Sequence, residues 1–151
     1  MGGEGMMLLP ITLTIAAACA AINLWLALRI VPGRVRGKVL LGDGGSLALL
    51  ARQRAHANFV EYAPFVLILL ALIELAGGSP TWLWGAGVAF VLARLAHGLG
   101  MTRAAPNPLR AGGALTTWVV LALLAGWAVA IAYGTGTAPR AIGMTPVVAR
   151  G

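Results

Sequence analysis

Arg54, Asn58 and Glu61 form a row of polar residues that leads directly into a long apolar segment. Steps of four and three residues place the three side chains on one face of a helix. Arginine offers a fork of donors for a carboxylate, asparagine both donates and accepts, and glutamate accepts from an ammonium or a peptide N–H. The row therefore suits a zwitterionic, peptide-like ligand. It also fits an internal network in which Arg54 reaches the membrane interface and Glu61 pairs with an arginine of a neighbouring helix.

A second polar face comes near the end of a later apolar segment, where Arg94, His97, Gly98 and Met101 follow at steps of three, one and three. An arginine within hydrocarbon needs an anion, and Glu61 is the obvious protein candidate. A single histidine in such a place is more often a packing residue than a ligand. The two histidines lie on different segments and the one cysteine is distant from both, so the sequence predicts no metal site.

The elements that position these residues are predicted to be membrane helices. The chain has 151 residues, of which 60% are hydrophobic and 10% charged, against roughly 25% charged in soluble domains. Four apolar runs are each close to the ~20 residues that span a bilayer as a helix. We therefore expect an all-α integral membrane protein, one domain over residues 1–151. The predicted helices are 8–31, 47–77, 80–100 and 113–134, and the loops of interest are 32–46 and 101–112.

Prolines, glycines and one serine mark the predicted boundaries. Pro32-Gly33 is interpreted as a helix stop and Gly112-Gly113 as the start of the fourth helix. Ser46 is expected to cap the second helix, which then carries about three amphipathic turns before its apolar part. Pro64 is expected to kink that helix beside the polar row. Tyr62, in the row itself, is also typical of the aromatic belt at a membrane interface.

Basic residues predict the orientation in the membrane. Eight of them lie in or beside loops 32–46 and 101–112: Arg29, Arg34, Arg36, Lys38, Arg52, Arg54, Arg103 and Arg110. The opposite side has only Arg140 and Arg150, so these two loops should face the cytoplasm and both termini the outside. The net charge of +7 is then an orientation signal, and nucleic acid is not an expected partner because no aromatic residues alternate with the basic ones. Residues 1–7 contain no Lys or Arg, so the first helix is not expected to be a cleaved signal.

Small residues recur every four positions in three of the predicted helices. They allow close approach of helix backbones, either within one chain or between copies of it. The positions are Ala16 and Ala20, then Gly85, Ala89 and Ala93, then Ala122, Gly126, Ala130 and Gly134.

The segment Arg54 to Pro64 resembles the MAPEG family, the membrane-associated proteins of eicosanoid and glutathione metabolism, and most closely its bacterial branch. The shared pattern is Arg-Ala, Asn four residues after the Arg, Glu three further on, an adjacent aromatic residue, and Pro three after the Glu. The resemblance implies a homotrimer of four-helix subunits in a bacterial inner membrane. It also implies that glutathione, where it is used, binds between neighbouring subunits at the cytoplasmic side.

The resemblance also assigns roles to individual residues. Arg54, Asn58, Glu61 and Tyr62 would contact glutathione, and Arg94 matches a basic residue of the third helix in the leukotriene-C synthase branch. His97 and Met101 stand where that branch has tyrosines in its glutathione pocket. Arg110, and after it Arg29, would match the arginine that activates the glutathione thiol.

The function that follows is a glutathione-dependent transferase or peroxidase, with glutathione as co-substrate and a lipophilic electrophile that enters from the lipid. Because the family also contains a non-catalytic lipid-binding scaffold, a membrane binding or scaffold protein is the alternative. A small proton-coupled exporter is a third possibility. It is disfavoured because an exporter of this kind needs a carboxylate deep in its first helix, where this chain has none.

Overall fold

In a computed structural model, the structure describes residues 8–134 and contains five helices in that range. They are α1 (Pro10–Leu28), α2 (Val31–Gly37), α3 (Leu47–Leu75), α4 (Pro80–Gly100) and α5 (Pro108–Gly134). Within this part of the chain, four helical segments are long and apolar enough to cross a membrane: Pro10–Gly37, Leu47–Leu75, Pro80–Gly100 and Pro108–Gly134. The protein is thus an all-α integral membrane protein, as the composition predicts.

The two central helices of the bundle are α3 and α4. Each of them packs against both α1 and α5 and against the other, whereas α1 and α5 make no comparable contact with one another in the described chain. The core between the helices is apolar and includes Leu26, Val66, Phe90 and Leu124. Large apolar side chains such as Phe65 and Leu123 remain on the outside, where a bilayer would surround them. Polar residues on the inner faces of α3 and α4 must therefore meet at the centre of the bundle.

Several helix boundaries match the sequence prediction because their local signals are unambiguous. The Ser46 side chain accepts a hydrogen bond from the Leu49 N–H at 3.3 Å and so caps α3 as predicted. Gly77 has a φ of +76°, a left-handed conformation that glycine adopts without strain, and it turns the chain between α3 and α4. Pro64 lies within α3, where it cannot donate a hydrogen bond to the carbonyl of Val60.

Two predicted boundaries are wrong. The stop at Pro32-Gly33 is instead the beginning of the short helix α2, because proline fits the first turn of a helix, where its missing N–H is not needed. The fourth long helix begins at Pro108 rather than Gly113. Asn107 explains the second difference, since its Oδ1 accepts hydrogen bonds from the N–H groups of Leu109 and Arg110 at 3.0 and 3.3 Å. Arg110 therefore lies in the first turn of α5 and not in a loop.

Among the described residues, the glycines of the predicted small-residue stripes do not lie at close helix–helix contacts. A Cβ at Gly85, Gly126 or Gly134 would meet nothing within 4 Å. The close approach uses Gly113, where a Cβ would lie 2.5 Å from the Ala93 carbonyl oxygen and 2.7 Å from the His97 nitrogen. The stripe glycines of α4 and α5 are thus available to lipid or to another copy of the chain.

Candidate functional site

Arg94 is the centre of a polar network that connects α3, α4 and α5. Its side chain is only 1% exposed. One guanidinium nitrogen, Nη2, donates to Asn58 Oδ1 on α3 at 2.9 Å, and the other, Nη1, donates to Thr117 Oγ1 on α5 at 3.2 Å. Among the described residues, the buried Nε of Arg94 has no hydrogen-bond partner. Arg94 of α4 is thus held by neutral acceptors of α3 and α5.

Asn58 connects this network to the surface of the protein. Its Nδ2 donates to Glu61 Oε2 at 3.4 Å, a long hydrogen bond between residues one turn apart on α3. No ion pair between Glu61 and a basic side chain is found in the part of the chain that the structure describes. The predicted pairing of Glu61 with Arg94 is replaced by an indirect link through Asn58. The Glu61 carboxylate is exposed and keeps most of its acceptor capacity.

Arg54 lies on the same helix as Asn58 and Glu61, and its side chain is also exposed. It makes no side-chain hydrogen bond within residues 8–134 in this structure. The two oppositely charged ends of the row are therefore both accessible, and the asparagine between them is fixed from behind by Arg94. This arrangement can bind a ligand that carries both a carboxylate and an ammonium group.

Aromatic side chains cover the buried guanidinium. The Arg94 Cζ atom lies 6.0 Å from the ring centroid of Phe59 and 5.9 Å from that of Tyr62, distances at the outer limit of cation–π attraction. The hydroxyl of Tyr62 accepts a hydrogen bond from Trp118 Nε1 at 3.0 Å. Tyr62 is thus tied to α5 as well as facing Arg94. The alternative in which Tyr62 serves as a belt residue is also compatible with this contact.

His97 and Arg110 meet where α4 and α5 pack most closely. His97 is buried, and its Nδ1 donates to the backbone carbonyl of Arg110 at 3.0 Å. Gly113 lies against the same turn of α4. The Arg110 side chain is exposed and has no hydrogen bond within the described residues. His97 therefore holds the start of α5 in place, and its contact with glutathione stays a prediction.

Arg29, the second candidate activator, has a different environment. Its Nη1 donates to the Gly98 carbonyl at 3.0 Å and its Nη2 to Thr102 Oγ1 at 2.9 Å. The guanidinium also stacks on the Trp25 ring, with 4.8 Å between the Cζ atom and the ring centroid. Arg29 thus joins the end of α1 to the end of α4. These contacts use two of the five N–H donors of the guanidinium.

Thr117 was not predicted as part of the site. Its hydroxyl donates to the Gly113 carbonyl one turn earlier on α5 at 2.8 Å and accepts from Arg94. Spacing offered no signal, because a threonine in a membrane helix commonly bonds its own backbone in this way.

Within the described chain no group of three or more His, Cys, Asp or Glu residues could hold a metal ion.

An apolar groove follows the seam between α4 and α5. It consists of two cavities of about 570 and 360 Å³ that share Ala89 and Thr116. Trp82 and Trp127 line the larger cavity, and Leu109 and Gly112 line the smaller one near the start of α5. Their volumes are in the range that accommodates small organic ligands.

Comparison with known proteins is consistent with this geometry. A sequence profile of the MAPEG family matches residues 12–130 of the chain. The chain is similar to the "Inner membrane protein YecN" of Escherichia coli strain K12, with 33% identity over 92 residues, which are 60% of this chain and 69% of that protein. The YecN protein of Escherichia coli O6:H1 gives the same identity and coverage. Since the matched range includes most of every membrane-length helix, the chain belongs to the MAPEG family.

Proposed function

We propose that the protein is a glutathione-dependent transferase or peroxidase that acts on lipophilic electrophiles in the membrane. One observation carries the proposal: Arg94 fixes Asn58 at 2.9 Å between two exposed and oppositely charged residues, Arg54 and Glu61. Burial of an arginine in a membrane protein costs free energy, so a buried arginine indicates a structural or functional role. Here it orients the central residue of a face that suits a zwitterionic peptide.

Glutathione has the groups that this face can bind. Its carboxylates fit the guanidinium of Arg54, its ammonium fits Glu61, and its peptide groups can bond to Asn58. The Tyr62 ring borders the same face. These four residues are the proposed glutathione contacts, with Arg94 behind them and His97 one turn further along α4.

Activation of the thiol requires a cation that is free to approach sulfur. A thiol with a pKa near ~8.5 is only a few per cent thiolate at neutral pH. Each unit by which a guanidinium lowers that pKa corresponds to about 1.4 kcal/mol. Arg110 is the proposed activator because its side chain is exposed and makes no bond in the described chain. Arg29 is the second candidate, although its guanidinium already bonds to Gly98 and Thr102.

A homotrimer is part of the proposal. Glu61 is exposed on a membrane-spanning helix and accepts one long hydrogen bond within the described residues, and a carboxylate in that position needs a further partner or water. A neighbouring subunit would cover it and complete the glutathione site. Gly126 and Gly134 of α5, where an added Cβ would meet nothing within 4 Å among the described residues, would serve the same contact. Native mass spectrometry in detergent should detect a trimer, and a stable monomer would contradict it.

The location in the cell completes the proposal. We infer that the protein lies in a bacterial inner membrane, because its relative YecN is named as an inner membrane protein. Loops 32–46 and 101–112 would face the cytoplasm, as the basic residues predict. The termini, whose predicted outside location falls beyond the described residues, would be tested by reporter fusions. The apolar groove along α4 and α5 is the proposed entrance for the electrophile from lipid.

The test is glutathione binding measured by calorimetry on the purified protein. Loss of a charge-assisted hydrogen bond in Arg54→Ala should cost about 1.5–3 kcal/mol, or roughly a ten- to hundredfold loss of affinity. Arg36→Ala is a matched control, because it removes an exposed arginine of the same side that is not part of the polar row. Equal affinities for the two variants would contradict the proposed binding face.

A non-catalytic binding or scaffold protein is the second candidate. It is favoured by the extent to which polar residues bond within the chain: Arg29 to α4, His97 to α5, and Arg94 to both α3 and α5. Such a protein would keep the network to hold its helices together. It would show no calorimetric signal at millimolar glutathione, which distinguishes it from the enzyme.

A further inference from the structure

The segment that connects α1 to α3 has an apolar surface of its own. Three of its side chains and that of the first residue of α3 are largely exposed: Val35 by 71%, Leu40 by 90%, Leu41 by 89% and Leu47 by 81%. We call these four residues the Leu40 surface. Exposed apolar side chains concentrated in one short segment usually indicate contact with a membrane or a protein.

The backbone that presents the Leu40 surface is fixed by hydrogen bonds. Arg34 Nη1 donates to the Leu40 carbonyl and Gln53 Nε2 to the Gly42 carbonyl, both at 2.7 Å. Arg52 Nη1 donates to the Arg29 carbonyl at 3.0 Å. The segment is thus bound to the first turns of α3, and its leucines keep a defined position relative to that helix.

Positive charge surrounds the same surface. Between Val31 and Val60 the only acidic residue is Asp43, whose carboxylate already accepts from the Gly45 N–H at 2.9 Å. Basic residues in this range are more numerous: Arg34, Arg36, Lys38, Arg52 and Arg54. The side chains of Arg36 and Lys38 are exposed and make no hydrogen bond within residues 8–134.

The depth of the segment follows from the length of α3. Its 29 residues extend about 43 Å at 1.5 Å per residue, which exceeds the ~30 Å of hydrocarbon in a bilayer. One end of α3 must therefore project into the headgroup region. The amphipathic first turns, with Arg52 and Arg54, are that end, and the Leu40 surface is bonded to them.

We propose that this segment is a binding site for anionic phospholipids. Leu40 and Leu41 enter the outer hydrocarbon, and Arg36 and Lys38 bind lipid phosphates. Charge favours this partner over a second copy of the same surface, which would bring its own excess of positive charge. The proposal does not depend on whether the chain binds glutathione.

Contact with lipid can be measured with a fluorophore at position 40. We would label Leu40→Cys in a Cys19→Ala background and reconstitute it in nanodiscs of phosphatidylcholine and phosphatidylglycerol. Ala104→Cys is the control, because it is exposed in the other loop on the same side. Nitroxide on the upper acyl chain should quench the label at 40 severalfold more than the label at 104. Equal quenching at the two positions would overturn the proposal. It would mean that position 40 is surrounded by water or covered by another protein chain.

Selectivity for anionic lipid is measured with the same label. Nitroxide-bearing phosphatidylglycerol should quench it more than nitroxide-bearing phosphatidylcholine, by up to about fivefold for each basic residue involved. The double variant Arg36→Gln/Lys38→Gln should lose this preference, whereas Arg103→Gln should keep it. The proposed anionic-lipid site would be wrong if the parent protein showed no preference for phosphatidylglycerol. It would also be wrong if the double variant kept the preference.

Discussion

Two glutamates on α3 have opposite environments, and the contrast separates a structural carboxylate from an available one. Glu74, near the end of the helix, accepts three hydrogen bonds from the start of α1: from the N–H groups of Ile11 and Thr12 at 3.0 and 2.8 Å and from the Thr12 hydroxyl at 2.7 Å. Glu61 accepts one at 3.4 Å. The carboxylate of Glu74 is thus held by its own chain, whereas that of Glu61 keeps most of its acceptor capacity.

The two carboxylates differ because different groups lie near them. The residue before α1 is Leu9, which offers no side-chain cap, so the first N–H groups of α1 need an acceptor from elsewhere. Glu74 supplies it, and its negative charge also complements the positive end of the helix dipole. Glu61 caps no helix terminus and forms no direct ion pair within the described residues, where its link to Arg94 runs through Asn58. An acidic residue in a membrane helix is therefore not by itself evidence of a binding site.

The largest effect should come from Glu74→Ala. It leaves the N–H groups of Ile11 and Thr12 without their charged acceptor, which should lower the free energy of unfolding by about 2–4 kcal/mol. Glu61→Ala should lower it by less than ~1 kcal/mol. Denaturant titration in detergent, followed by circular dichroism, measures both. If Glu61→Ala is the more destabilising variant, the distinction between the two carboxylates is wrong.

Affinity for glutathione should show the reverse order. Glu61→Gln keeps the size of the side chain but removes the charge that would bind the ammonium, so affinity should fall roughly tenfold or more. Glu74→Gln keeps part of the cap of α1 and should leave affinity within about twofold. Calorimetry on both variants measures the two affinities. A loss of affinity in Glu74→Gln alone would contradict the roles assigned to the two glutamates.

Thiol activation should respond to Arg110 and less to Arg29. Arg110→Ala should raise the pKa of the bound glutathione thiol by about one unit, equivalent to ~1.4 kcal/mol. Titration of thiolate absorbance in the ultraviolet at saturating glutathione measures this directly. The Arg29 guanidinium bonds to Gly98 and Thr102, so Arg29→Ala should mainly reduce stability. A shift of the titration in Arg29→Ala alone would identify Arg29 as the activator, and no shift in either variant would contradict activation by arginine.

Local sequence signals were sufficient for much of the fold. The apolar runs predicted the four membrane-length helices, and Ser46 was recognised as a cap because its side chain can accept from its own helix. The polar faces of α3 and α4 were identified from helical spacing, and the structure brings Asn58 and Arg94 together. Binding of a ligand by these residues stays a prediction.

Contacts between distant segments were not predictable in the same way. Thr117 bonds to Arg94 and Glu74 bonds to the start of α1 across separations that no local spacing encodes. Glu61 was expected to pair with Arg94, but Asn58 is closer to the guanidinium and bonds to both. The start of α5 is a different case. Here the signal is local, since Asn107 followed by Pro108 marks the start of the helix, and the glycine pair Gly112-Gly113 lies inside it.

The smallest of these effects concerns that start of α5. Asn107→Ala removes the acceptor for the N–H groups of Leu109 and Arg110, which should cost about 1 kcal/mol of stability. Because the Arg110 carbonyl also accepts from His97, the first turn should remain in place, and the glutathione thiolate should titrate as in the unmodified protein. Asn107→Asp, which restores the acceptor, should recover the stability. If Asn107→Ala raises the thiol pKa as much as Arg110→Ala, then the cap and not the hydrogen bond from His97 positions Arg110.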